Sequence, residues 1–215
     1  MADITAGFLA DNLRAGCETF GDGELAYLLL TSKSELPVRD RLAWALHQAL
    51  LPTAVAAREW GPTGQPKDRR TRIDIAVLPT DHPDEPTALI QAKAFFTYDL
   101  APPESFRRYV LKEIEADTSK ASEVSSQSTM IFAIVLATHP ELDRLIPDGL
   151  VRVVKYPINR TLGNSRPIRL RAQKAMHNHF EPLGPVAHGS LDGGTAFGVP
   201  VFLDYWVIGP AFPVT

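Results

Sequence analysis

Across 215 residues the chain sets 22 Lys and Arg against 25 Asp and Glu, a formal net charge of −3, with 45% apolar and 22% charged residues. That is the balance of an ordinary soluble globular chain, long enough for one substantial core. With this charge, any nucleic-acid contact has to come from a local basic patch. The single cysteine, Cys17, excludes an internal disulfide framework and a cysteine-only zinc site and fits a reducing compartment. No basic, apolar-cored leader opens the sequence, and no apolar run reaches the roughly 20 residues that span a bilayer. A cytoplasmic protein without membrane association is the expectation.

In chain order, residues 4–16 and 24–30 carry mixed apolar spacing and predict a helical lead-in, broken by Gly21-Asp22-Gly23. Asp3, Asp11 and Glu18 read as a solvated face. Residues 34–51 give the clearest helix, because Val38, Leu42, Ala45, Leu46 and Ala49 recur at helical spacing. Ser34 is its expected N-cap, and Pro37 is tolerated in the first turn. Glu35 falls within about 20° of Leu42 at 3.6 residues per turn, so it aims inward, whereas Asp40 falls on the far side with Trp44. A helix-dipole role for Glu35, paired with Arg39 one turn on, stands beside that reading.

Residues 53–60 predict a strand ended by Gly61-Pro62-Thr63-Gly64, and the basic run 67–72 follows. Arg69, Arg70 and Arg72 there are either solvated loop residues or phosphate contacts.

Residues 70–96 form the centre of the argument. Two runs with strand character flank a polar loop, Pro79 to Thr87. In an alternating strand Asp74 shares a face with Ala76 and points away from Ile73, Ile75 and Val77. Gln91 and Lys93 share one face of the second strand, opposite Ile90, Ala92 and Ala94. If the strands pair, an acid, an amide and an amine project together, and burying them unpartnered would be costly. The bland account is a cross-strand Asp74–Lys93 ion pair with Gln91 exposed.

A helix over about 103–125 follows, with Phe106, Tyr109, Val110, Ile114, Ala121 and Val124 as its apolar face and Arg107, Arg108, Lys112 and Lys120 mostly outside. Residues 129–137 are almost continuously apolar, as in a strand buried on both faces and often parallel to its neighbour. Residues 150–156 suggest a further strand. The tail, 157–215, is rich in proline and glycine. Alternation at Ile168-Arg169-Leu170-Arg171 suggests a strand, 184–198 a flexible loop, and 200–208 a last apolar strand. Arg166, Arg169, Arg171 and Lys174 make a second basic cluster, fitting a backbone-binding face or a charge-protected sheet edge.

The order helix, strand, strand, strand, helix, strand, with an acid in the first helix, Asp74 in the second strand and Gln91-Ala92-Lys93 in the third, resembles the restriction-endonuclease-like, or PD-(D/E)xK, nuclease superfamily over residues 34–137. The resemblance implies an α/β fold with an αβββαβ core, a mixed central sheet flanked by helices, here with additional C-terminal strands. It implies a single nuclease-like domain over 1–215, with a lead-in at 1–33, a core at 34–156 and an extension at 157–215. It further implies hydrolysis of DNA phosphodiesters with Mg²⁺ or Mn²⁺, in restriction, defence or repair. Asp74 would ligate the metal, Gln91 would stand where the second acid usually is, Lys93 would be the motif lysine and Glu35 the helix acid. Ile73 replaces the motif proline, and Gln91 removes one formal charge from the metal site. A branch of the superfamily that cuts modified or foreign DNA carries Gln-x-Lys. Nucleic-acid contacts would fall to Arg69, Arg70, Arg72, Arg169 and Arg171. Nucleases of this type that cut both strands are often homodimers. The alternative is a catalytically inactive nuclease-like subunit that binds nucleic acid or serves assembly.

The physical case for the metal stands beside the resemblance. Mg²⁺ takes hard oxygen ligands, and Asp74, the Gln91 carbonyl and Glu35 are oxygen donors. Other chemistry is weaker. His177-Asn178-His179 lacks the flanks of a metal finger, and His139, His177, His179 and His188 are irregularly spaced for zinc. Gly193-Gly194 lacks the rest of a phosphate loop. Ser125, Ser126 and Ser128 mark a helix end, and Cys17 has no activating neighbour.

Overall fold

The computed structural model describes residues 3–62, 71–142 and 164–211. Arg69, Arg70 and the strand expected at 150–156 lie outside these residues. Helices α1 (Ala6–Cys17), α2 (Glu24–Thr31) and α3 (Glu35–Leu50) come first. Strands β1 (Ala54–Trp60), β2 (Ile73–Pro79) and β3 (Ala88–Phe96) follow. A four-residue helix α4 (Thr97–Leu100) and a helical turn α5 (Pro103–Ser105) run through the wider-wound Phe106–Leu111 into α6 (Lys112–Glu123). Strand β4 (Met130–Pro140), helix α7 (Ser165–Phe180) and strands β5 (Val186–Ala196) and β6 (Val199–Ala211) complete the order.

The six strands form one sheet in the order β1-β2-β3-β4-β6-β5. β1, β2 and β3 are antiparallel neighbours, β3 and β4 pair in parallel, and β4–β6 and β6–β5 are antiparallel. A parallel neighbour requires a crossover, and the helical stretch 97–123 supplies it. β4 sits between β3 and β6 with Ile131 to Pro140 all buried, which explains why its sequence runs apolar without alternation.

Helices cover both faces. On one, α1, α2 and α3 bury Leu9, Leu13, Leu29, Leu42 and Leu46 against Ile90, Ile134 and Leu203. On the other, α4, α6 and α7 bury Leu100, Ile114, Ala172 and Met176 against Val135, Ala137 and Trp206. The N-terminal helices are therefore core elements. α1 and α2 lie against the β5–β6 hairpin, where Gly193 approaches Leu25 and Ala26 so closely that a Cβ would meet the Val201 carbonyl at 2.9 Å. Asp3, Asp11 and Glu18 are exposed, as expected. No described helix is long and apolar enough to cross a membrane.

Three expectations are corrected. Residues 168–171 are helical, part of α7, whose buried positions Ile168, Ala172, Met176 and Phe180 recur every four residues. Residues 184–198 are mostly strand β5, with Gly189 placed where a Cβ would stand 2.4 Å from the Tyr205 hydroxyl. Tyr109 is exposed and does not share the buried face of Val110 and Ile114.

Candidate functional site

β2 and β3 pair only over Ile75↔Ile90, Ala76↔Leu89 and Val77↔Ala88. Beyond that point they fork, and two side chains replace the missing ladder. Asp74 Oδ2 accepts a 2.8 Å hydrogen bond from the Ala92 amide. Gln91 Oε1 accepts from the Asp74 amide at 3.4 Å, while its Nε2 donates to the Arg72 carbonyl at 3.5 Å. Gln91 is 5% exposed, not solvated. Ile75 and Val77 pack with the α1–α3 side whereas Ile73 packs with Ala76 and Leu89 on the other, so the expected strict alternation breaks at Asp74.

Arg39 of α3, 7% exposed, enters the fork from the side. Its Nη1 bonds Glu59 and lies 3.3 Å from Asp74 Oδ1, and its Nη2 lies 3.3 Å from Asp40. Glu59 takes φ +50° in β1 to face this guanidinium, and Arg72 adds a second cation at 3.6 Å. Arg39 is thus committed to these acids, and the expected Glu35–Arg39 pair does not form. Ser34 makes no side-chain cap to α3.

Lys93 projects toward α6. Its Nζ lies 2.9 Å from Asp117 Oδ2 and 4.0 Å from Glu113 Oε2, and Asp117 also receives Lys120 at 2.7 Å. Asp117 and Glu113 were not among the residues expected at the site. Glu35, Lys93, Asp99 and Glu113 line one depression of about 120 Å³, together with Ser34 and Phe96. Among the described residues the Glu35 carboxylate has no hydrogen-bond or ion-pair partner.

The electrostatics follow from burial and these charges. Burial raises the Glu35 carboxyl above its ordinary range and the Asp74 charge adds to it, against Lys93, Lys33 and Arg39. Burial likewise raises Asp74, opposed by the Ala92 amide and Arg39. Burial acts to lower the Lys93 ammonium, but Asp117 overcomes it and the amine is held above its usual value. Asp117 is depressed in spite of burial by its bonds to Lys120 and Lys93.

Two half-buried carboxylates, one of which raises the other, supply the hard oxygen donors that a divalent cation takes, with the Arg39 and Lys93 cations beside them. Glu35 and Asp74 are the groups that fit. The Gln91 carbonyl is turned to the Asp74 amide. Among the described residues no three His, Cys, Asp or Glu side chains are gathered as a metal-binding group.

Elsewhere, Arg169 grips the buried Asp204 through Nε at 2.9 Å and Nη2 at 2.7 Å, donates to Ser190 and stacks on Phe202. That makes it an internal residue of the α7–β6 contact. Arg171 is exposed on α7. His139 is buried between the Thr97 hydroxyl at 2.7 Å and the Ser165 hydroxyl at 2.8 Å, and burial together with the Arg169 charge holds it down to about 4. Cys17 is buried and its thiol pushed up to about 12, so it is inert at neutral pH.

Comparison of the chain with family models, with curated proteins and with solved structures finds no significant match.

Proposed function

We propose that this chain is a divalent-metal-dependent nuclease acting on DNA, with an αβββαβ core of the restriction-endonuclease type over residues 35–140. The observation that carries the reading is the Glu35 carboxylate, half-buried and unpartnered, sharing a depression with the Lys93 amine and lying in the field of Asp74. The first turn of α3 favours an acid through the helix dipole, but burial and the Asp74 charge act against the ionised carboxylate, and strained electrostatics of this kind concentrate where chemistry is done.

Glu35 and Asp74 would hold Mg²⁺ or Mn²⁺, which supplies a water of lowered pKa and neutralises charge on the phosphate. The remaining roles belong to the chain. Asp74 is fixed by the Ala92 amide, so its orientation is set by the β3 backbone. Gln91 holds the Asp74 backbone at the fork and acts as a positioning residue. Lys93, kept protonated by Asp117, offers a fixed cation to a phosphate oxygen or to the attacking water. Arg39 balances Asp74 from behind and keeps that carboxylate ionised.

A second reading, an inactive nuclease-like nucleic-acid-binding subunit, is favoured by one observation. Asp74 and Gln91 are both engaged in closing the β2–β3 fork, a structural task that needs no substrate. Supercoiled plasmid incubated with Mg²⁺ or Mn²⁺ separates the two. Nicking or linearisation that Lys93→Ala and Glu35→Gln abolish supports hydrolysis. Gel retardation without cleavage supports the binding subunit.

A further inference from the structure

We infer that the groove between the α4–α5 segment and α7 is a seat for the phosphodiester backbone of a nucleic-acid strand, an assignment that rests on the nuclease reading for the identity of the polymer. Helix α7 carries Arg166, Arg169, Arg171 and Lys174 and no acid, in a chain whose net charge is −3. Arg169 is consumed by Asp204, but Arg166, Arg171 and Lys174 are exposed and make no ion pair among the described residues. At 3.6 residues per turn these three cations fall within about 140° of one another, on the side of α7 away from Ile168 and Met176. Free cations on one helix face with no acid between them repel each other, and an anionic polymer relieves that repulsion by releasing its counterions.

The groove beside them holds about 630 Å³. Arg171 and Lys174 form one wall, and Tyr98, Pro102 and Pro103 form the other. Cations on one side and an aromatic, apolar surface on the other suit a strand whose phosphates and bases face opposite ways. Helix α4 borders both the groove and the candidate site. Asp99 of that helix lines the Glu35–Lys93 depression, and Tyr98 beside it lines the groove.

The test is anisotropy of a fluorescein-labelled oligonucleotide of about 20 nucleotides, single-stranded and duplex, in EDTA, titrated over salt concentration. Arg171→Glu and Lys174→Glu are each expected to weaken binding at least tenfold. The neutral double variant R171Q/K174Q is expected to lower the slope of log affinity against log salt by about 2, near one unit per lost phosphate contact. Arg14→Glu, on α1 at the opposite sheet face, serves as the equal-charge control and should stay within about twofold. Thermal melts confirm that the variants fold. Wild-type failure to bind, α7 variants that bind as the wild type does, or capture of phosphatidylserine vesicles in place of oligonucleotide would each overturn the inference. Because the assay contains no divalent ion, it reads binding alone: intact binding here, with no cleavage of plasmid in Mg²⁺ or Mn²⁺, would sink the hydrolytic reading and leave the groove standing. Cleavage indifferent to α7 would do the reverse.

Discussion

Lys93 Nζ sits 2.9 Å from Asp117 Oδ2, so the amine of β3 is aimed by an acid of the crossover helix α6 and not by Asp74 across the fork. Asp117→Asn should therefore cost about 1.5–3 kcal/mol in urea unfolding, the scale for a charged hydrogen bond. The sign of its pH dependence is fixed by the depressed carboxyl. The stabilisation is present above the unfolded value of about 3.9 and is lost as pH falls through the lower folded value. The wild-type advantage over Asp117→Asn should thus persist at pH 5 and shrink in the acid limb.

Glu35 gives the opposite sign. Its carboxyl is raised by burial and by Asp74, so its contribution to stability is full below the unfolded value of about 4.3 and is lost as pH rises through the folded one. Glu35→Gln should melt about 2 °C higher than the parent at neutral pH, and the gain should vanish by pH 4. A variant that melts lower at pH 7 would show the carboxylate to be a structural partner after all.

Removing Arg39 leaves Asp74 and Glu59 without their shared cation. Arg39→Met should cost about 2–3 kcal/mol, less than the loss of a fully buried partner because Glu59 and Asp40 are partly exposed. Asp74→Asn added to it should cost less than the two single changes summed, because both act on one contact. Additive costs in a double-mutant cycle would argue that the two groups are uncoupled.

His139, held down to about 4 between Thr97 and Ser165, predicts a loss of stability on the acid side. The unfolded ring binds a proton near 6.5 while the buried ring refuses it, so stability falls as pH drops from about 6.5 toward 4. The His139 ring resonances, followed by NMR, should not titrate above pH 5.

Much of the element order along residues 34–137 was readable because burial writes itself into period. The continuous apolar run of β4 and the helical spacing of α3 each follow from a face that must be covered. Ile168 to Arg171 failed for a definite reason. Four residues of alternation suit one helical turn as well as a strand, and the deciding spacing, Ile168–Ala172–Met176–Phe180, extends beyond that window. The glycines of β5 were read as a loop because the close approach of Tyr205 to Gly189 is a tertiary fact. The acid, amide and amine of the site were visible as anomalies in apolar strands. Their partners were not, since no local pattern tells which strand residue α6 will cross, and nothing in the sequence around Asp117 sets it apart from the other polar positions of that helix.

The place of α1 and α2 against the β5–β6 hairpin sets an order on synthesis. The surface that buries Leu25 and Leu29 is made partly by residues 186–211, so α2 in particular stays incompletely covered until that distant segment has been synthesised. During that interval the apolar stripes of α1 and α2 are exposed to other chains. Slower folding at high concentration, with aggregation through α1 and α2, is the cost of packing helices against strands more than 150 residues further along the chain.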